Sequence, residues 1–179
     1  MRIRQSGKQF IVFYMAGFVI GIFYANFVVK NYLISSGVFS EYYLDQYANM
    51  EIVLEDYLVY ILRIRLLPLV VFGALAYTKF RKAAAIGGVA WTGFCSGLVL
   101  VEAIMKLGIK GIVLCLLGIM PQFIFYAFAY IMVWWNLYTY PTTRWNAKKT
   151  VFVLFMVGIG IIMEGYVNPV LMKMFLKVL

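Results

Sequence analysis

Two carboxylates lie inside apolar stretches of this chain and are its strongest candidates for chemistry. An ionisable side chain within an apolar segment marks an ion path, a proton relay or an internal ion pair, and Glu102 and Glu164 are both so placed. The cations in neighbouring stretches are Arg63, Arg65 and Lys106. We expect each carboxylate to pair with one of them and to hold three helices together. Ion or proton translocation and contact with an outer partner are the alternatives.

Residues for other kinds of chemistry are missing from the sequence. The 179 residues contain no histidine, which removes the usual metal ligand, the base of a serine triad and the common proton shuttle. Cys95 and Cys115 each lie in an apolar run, as expected for small core residues rather than for a disulfide or redox pair. We therefore expect no catalytic, metal or cofactor site, and we predict that the protein is not an enzyme.

The composition is that of an integral membrane protein. With 65% hydrophobic residues and a mean hydropathy of +0.91, the chain has more apolar surface than a soluble domain of this size could bury. A spanning helix needs about 20 mainly apolar residues. Five stretches meet this requirement, so we predict an all-α fold in a single polytopic domain with spans near residues 10–29, 59–78, 83–105, 111–135 and 151–170.

The charges indicate how these spans are oriented. Nine of the sixteen cations form three clusters without acidic residues, and these clusters alternate with the regions that hold all seven carboxylates. By the positive-inside rule the clusters are cytoplasmic, which places the N-terminus inside and the C-terminus outside. The +9 net charge then implies lipid headgroups, not nucleic acid, as the counterion. The clusters are Arg2/Arg4/Lys8, Lys79/Arg81/Lys82 and Arg144/Lys148/Lys149.

The polar segment after the first span should form an outer amphipathic helix over residues 40–58. Ser40 is a suitable N-cap, and apolar positions recur at spacings of three and four. The stripe consists of Tyr47, Met50, Leu54, Tyr57, Leu58 and Ile61.

Polar and helix-breaking residues interrupt the second and fourth spans. Arg63 and Arg65 should lie near the outer end of the second span, where the cost of burying a cation is lower, and Pro68 should kink the junction with the amphipathic helix. Pro121 and the adjacent Gln122 should interrupt the fourth span, with Gln122 satisfying backbone groups that the proline frees.

Small residues predict where helices pack closely. Gly17, Gly21 and Ala25 fall every fourth residue in the first span, and Gly93 and Gly97 have GxxxG spacing in the third. Both patterns allow another helix backbone to approach.

Two segments resemble the stage II sporulation protein M family. They are Met120-Pro121-Gln122 with the apolar run that ends at Ala129-Tyr130-Ile131-Met132, and the stretch from Glu164 through Tyr166 and Pro169 to Lys173. The five-span count and the glycine-rich spans agree with this resemblance along nearly the whole chain.

The resemblance implies a non-catalytic scaffold in the bacterial cell membrane at the sporulation septum. Its implied partners are an extracytoplasmic cell-wall amidase/endopeptidase and a lytic transglycosylase, which remodel peptidoglycan during engulfment. The partner candidates are then the segment from Glu164 to Lys173 and the outer charges, and a homo-oligomer remains possible. The alternative is a membrane subunit of a transporter, which would work with a separate ATPase.

Overall fold

The computed structural model of the chain describes residues 2–28, 30–31, 39–51 and 53–177, with side chains from Gly7 onward except that of Met120. Within these ranges the protein is helical and contains no strand. Four helices are long and apolar enough to cross a membrane, and a bent pair gives a fifth span if its two parts count as one. The all-α fold is thus confirmed for these residues, and the long apolar helices are compatible with a multi-pass membrane protein.

Seven α-helices and one π-helical turn follow one another through the described part of the chain. They are α1 (Arg2–Phe27), α2 (Glu41–Asn49), α3 (Leu54–Leu75), α4 (Arg81–Leu107), α5 (Ile109–Thr139), α6 (Ala147–Ile162), the π turn (Met163–Val167) and α7 (Asn168–Leu176). The last three form one continuous apolar stretch.

Local sequence explains several of the helix ends. Gly108 separates α4 from α5 with a positive φ of 58°, a conformation that a residue without a Cβ adopts at little cost. Asn146 caps α6, because its side chain accepts a hydrogen bond from the Lys149 amide at 3.0 Å. Ser40 occupies the N-cap position of α2 as expected, although its side chain makes no capping bond.

The α-carbon contacts divide the chain into two compact units. Unit 1 contains the described residues of 1–51, 89–118 and 170–179, and unit 2 contains those of 52–88 and 119–169. Both α4 and α5 contribute residues to each unit.

In unit 1 the small residues of α1 and α4 lie against each other. Gly17 faces the backbone of Ala90, and Gly93 faces the backbone of Tyr14, so closely that a Cβ at either glycine would collide with a carbonyl oxygen. Ala25 is fully buried further along α1 and clusters with Val101. The two small-residue patterns of the sequence are thus one helix–helix interface.

The amphipathic stripe is not one helix in the structure. α2 ends at Asn49, and α3 begins at Leu54 and runs through Pro68 to Leu75. Leu54 and the later stripe positions belong to the apolar helix α3. Pro68 therefore lies inside α3 and does not mark the boundary between the amphipathic helix and the apolar one.

Unit 2 contains the loops that carry two of the three basic clusters. The Arg81 guanidinium lies over the Tyr140 ring at 3.7 Å, which brings the start of α4 and the end of α5 to the same end of the unit. Trp134 is buried, and its ring contacts those of Phe72 and Tyr130.

The expected interruption of the fourth span is present. The helical stretch bends at Met120, between Ile109–Ile119 and Pro121–Thr139. Pro121 has no amide hydrogen and its ring crowds the carbonyl four residues earlier, which accounts for a bend at this position.

Candidate functional site

Glu164 and Arg65 form an ion pair in unit 2. The Arg65 Nε donates to Glu164 Oε2 at 2.9 Å, and the terminal nitrogen Nη2 donates to Oε1 at 2.5 Å. The geometry is bidentate, the strongest arrangement available to these two side chains. The Glu164 side chain is 12% exposed and that of Arg65 is 37% exposed. This confirms that Glu164 pairs with one of the three candidate cations.

Arg65 lies further into its helix than the sequence indicated. The predicted span begins at residue 59, whereas α3 begins at Leu54 and has 22 residues, so that Arg65 is near its middle. The Glu164 carboxylate lowers the cost of this cation among apolar residues, because an oppositely charged partner offsets part of the desolvation penalty.

Two tyrosines of α5 complete the cluster. Tyr126 donates its hydroxyl hydrogen to Glu164 Oε2 at 2.7 Å, and its ring lies 4.8 Å from the Arg65 guanidinium carbon. Tyr130, one turn later, donates to the Arg65 carbonyl oxygen at 3.0 Å, in the turn that precedes Pro68. α3, α5 and the π turn thus meet at one carboxylate.

The π turn places Glu164 at this junction. Pro169 follows it, and a proline cannot donate to the carbonyl of Gly165 and would crowd it in a regular α-helix. Widening the turn is one way to remove that conflict, and π turns are frequent at functional sites. Gly165 is also in close contact, since a Cβ there would lie 2.5 Å from the Leu58 methyl group on α3.

Glu102 lies in unit 1 and has a different role from Glu164. It is only 3% exposed, and its Oε1 accepts a hydrogen bond from the Phe39 amide at 3.0 Å. Lys173 of α7 is in the same unit and donates from Nζ to the Met50 carbonyl oxygen at 2.5 Å. Each of these side chains therefore holds the backbone on one side of α2.

Arg63, Tyr166 and Gln122 differ in their exposure. Arg63 is exposed on α3, and Tyr166 is 51% exposed beside an open apolar groove that Leu58 also lines. Gln122 is buried at 5% exposure directly after Pro121.

Sequence reasoning missed Tyr126 and Tyr130 as members of the cluster and placed them in an apolar run. A signal was available, since the two tyrosines and Trp134 recur every fourth residue and so share one face of a helix. A hydroxyl on an apolar helix requires a partner, and Glu164 was the strongest acceptor to expect.

The arrangement is suited to holding helices together. Three donor groups occupy the Glu164 carboxylate, and no group of three metal-ligating side chains occurs among the described residues. The candidate site in unit 2 is the ion pair between Arg65 and Glu164. In unit 1 it consists of the hydrogen bonds that Glu102 and Lys173 make to the backbone on either side of α2. Compared with models of known families, with curated proteins and with solved structures, the chain matches none.

Proposed function

We propose that the protein is a non-catalytic membrane scaffold that holds cell-wall hydrolases on the outer side of a bacterial membrane during sporulation. The choice of partners and of sporulation comes from the resemblance of the segments around Pro121 and Glu164 to a family of engulfment proteins. In this proposal the basic clusters are cytoplasmic, α2 is extracytoplasmic, and an amidase/endopeptidase and a lytic transglycosylase are the partners at the septum.

The observation that carries the proposal is the state of Glu164. A carboxylate offers about four acceptor sites, and three donor hydrogens from Arg65 and Tyr126 occupy them here. Moving a proton or an ion through this group would require breaking a bidentate pair at each cycle. A carboxylate whose acceptor sites are mostly occupied by the protein's own groups favours a fixed structural role over the transporter alternative.

The contact between Arg81 and Tyr140 supports the proposed topology. It brings two basic regions to one end of unit 2, as expected if both face the cytoplasm.

The test is recovery of partners from native membranes of sporulating cells. The full-length protein carries an affinity tag, is solubilised in mild detergent, and the copurifying proteins are quantified by mass spectrometry. We expect peptidoglycan hydrolases to be enriched over an untagged control. Recovery of a nucleotide-binding subunit without hydrolases would reject the scaffold and favour the transporter.

The variant Glu164→Gln distinguishes a scaffold from a transporter. A scaffold loses partner recovery only in proportion to the amount of protein left in the membrane. A transporter loses activity at a normal protein level. Arg63→Gln is the matched control, because Arg63 is exposed on the same helix as Arg65.

A further inference from the structure

The helix α2 is held in place although none of its side chains is buried. It has nine residues, and no residue of it falls in the buried class. Isolated helices shorter than about 12–15 residues are marginal in water. Something other than a packed core must therefore hold α2.

Two long side chains provide that support from the neighbouring helices of unit 1. Glu102 of α4 accepts from the Phe39 amide, two residues before the helix, and Lys173 of α7 donates to the Met50 carbonyl oxygen directly after it. Glu102 is almost completely buried, so its carboxylate depends on this bond. The backbone on both sides of α2 is thus held by hydrogen bonds from side chains of α4 and α7.

This support leaves one face of α2 open. The half-buried positions are Leu44, Tyr47 and Ala48, while Tyr42 on the opposite side is 70% exposed and Tyr43 is 51% exposed. The two tyrosine rings contact each other edge to face at 5.5 Å. Exposed tyrosines supply rigid contact area at low conformational cost, which is why they are enriched in binding surfaces.

The charge of the segment identifies the kind of occupant. Residues 39–51 contain three carboxylates, those of Glu41, Asp45 and Glu51, and no lysine or arginine. All three side chains are exposed. Like charges repel, which disfavours a surface of anionic lipid headgroups, and opposite charges attract, which favours a basic protein surface.

We propose that the exposed face of α2, defined by Glu41, Tyr42 and Asp45, is a docking surface for a basic region of an extracytoplasmic partner protein. Glu102 and Lys173 are the positioning residues that fix this surface. The proposal rests on the proposed function in identifying the partner as a wall hydrolase.

Photo-cross-linking in sporulating cells tests the surface. A benzophenone amino acid replaces Tyr42 in the full-length protein, and the matched position is Tyr77, which is 95% exposed and lies on the side proposed to be cytoplasmic. We expect a hydrolase adduct from position 42 and none from position 77. Adducts with lipid alone at position 42 would overturn the inference in favour of a helix lying on the membrane.

Charge variants test the chemistry of the contact. With the probe at position 42, Glu41→Gln combined with Asp45→Asn should lower the adduct yield about tenfold, since two charges at an interface rim are removed. Glu55→Gln combined with Asp56→Asn makes the same change in exposed residues outside α2 and should leave the yield unaltered. Equal loss in both double variants would overturn the inference.

The positioning role of Glu102 has its own readout. Glu102→Leu removes the acceptor for the Phe39 amide and should lower the adduct yield, whereas Glu102→Gln keeps an acceptor oxygen and should restore it at equal protein levels. If Glu102→Leu fails to accumulate, the charge variants still decide the proposal.

The two proposals can fail separately. Hydrolases that copurify with the tagged protein but give no charge-dependent adduct at position 42 would overturn the docking surface alone. A charge-dependent adduct with an identified basic protein that is not a hydrolase would overturn the proposed function and support the surface.

Discussion

Removing either partner of the Arg65–Glu164 pair should destabilise the protein more than removing both. Loss of one member of a buried pair costs about 3–5 kcal/mol, because the other charge is left without a partner. Since the Arg65 side chain is 37% exposed, we reduce this to about 2–3 kcal/mol for Arg65→Leu. Glu164→Leu also removes the acceptor of the Tyr126 hydroxyl, which adds about 1 kcal/mol.

The double variant with leucine at both positions contains no unpaired charge. Its cost should fall below that of either single variant, so the sum of the two single costs should exceed it by at least about 3 kcal/mol, which is the coupling energy of the pair. The free energy of unfolding is measured by titrating the purified protein in mixed micelles with sodium dodecyl sulfate while following helix content by circular dichroism. Arg63→Leu is the control on the same helix and should change the free energy by less than about 0.5 kcal/mol. Additivity of the two single variants within about 0.5 kcal/mol would refute the reasoning.

Three further predictions use the same unfolding measurement. Gly93→Ala forces a Cβ against a backbone carbonyl and should lower the free energy of unfolding by about 1–3 kcal/mol, whereas Gly87→Ala, with open space around it, should be neutral or stabilising; equal effects would contradict the packing of α1 on α4. Tyr126→Phe keeps the ring over Arg65 but leaves Glu164 one donor short, at a cost of about 1 kcal/mol, and an unchanged stability would argue against that hydrogen bond. The methyl group added by Gly165→Ala would collide only with the end of the flexible Leu58 side chain, so combining it with Leu58→Ala should recover most of the lost stability. A loss of stability that persists in the double variant would place the strain in the π turn instead.

The sequence was sufficient for the helix packing in unit 1. Small residues at every fourth position predicted close packing of helix backbones, and both Gly17 and Gly93 lie against a neighbouring backbone.

The choice between Arg63 and Arg65 could not be made from the sequence. Side chains that are two residues apart on an α-helix are separated by a rotation of about 200° around the axis. Arg63 and Arg65 therefore lie on nearly opposite faces of α3, and only one of them can face Glu164. Which one does so depends on the rotation of α3 about its axis, and that rotation is set by tertiary contacts such as Leu58 against Gly165.

The break between α2 and α3 was missed for a similar reason. The spacing of apolar residues continues unbroken from Tyr47 to Ile61, and Met50 and Val53 are not strong helix breakers. The Met50 carbonyl oxygen, at the C-cap of α2, accepts a hydrogen bond from the distant Lys173. A local pattern contains no information about a partner more than a hundred residues away.

The ion pair is better explained by specificity than by stability. Apolar residues of the same volume at positions 65 and 164 would often be as stable as the pair, so the pair's contribution must lie elsewhere. The neighbours of Arg65 on α3 are largely leucine, isoleucine and valine, which would pack almost equally well if α3 moved one helical turn along its axis. Such a shift of about 5.4 Å would separate the two charges and leave both among apolar side chains. The double leucine variant should therefore retain its helices while losing the unique position of α3, and this loss, not a lower free energy of unfolding, is the expected consequence of removing the pair.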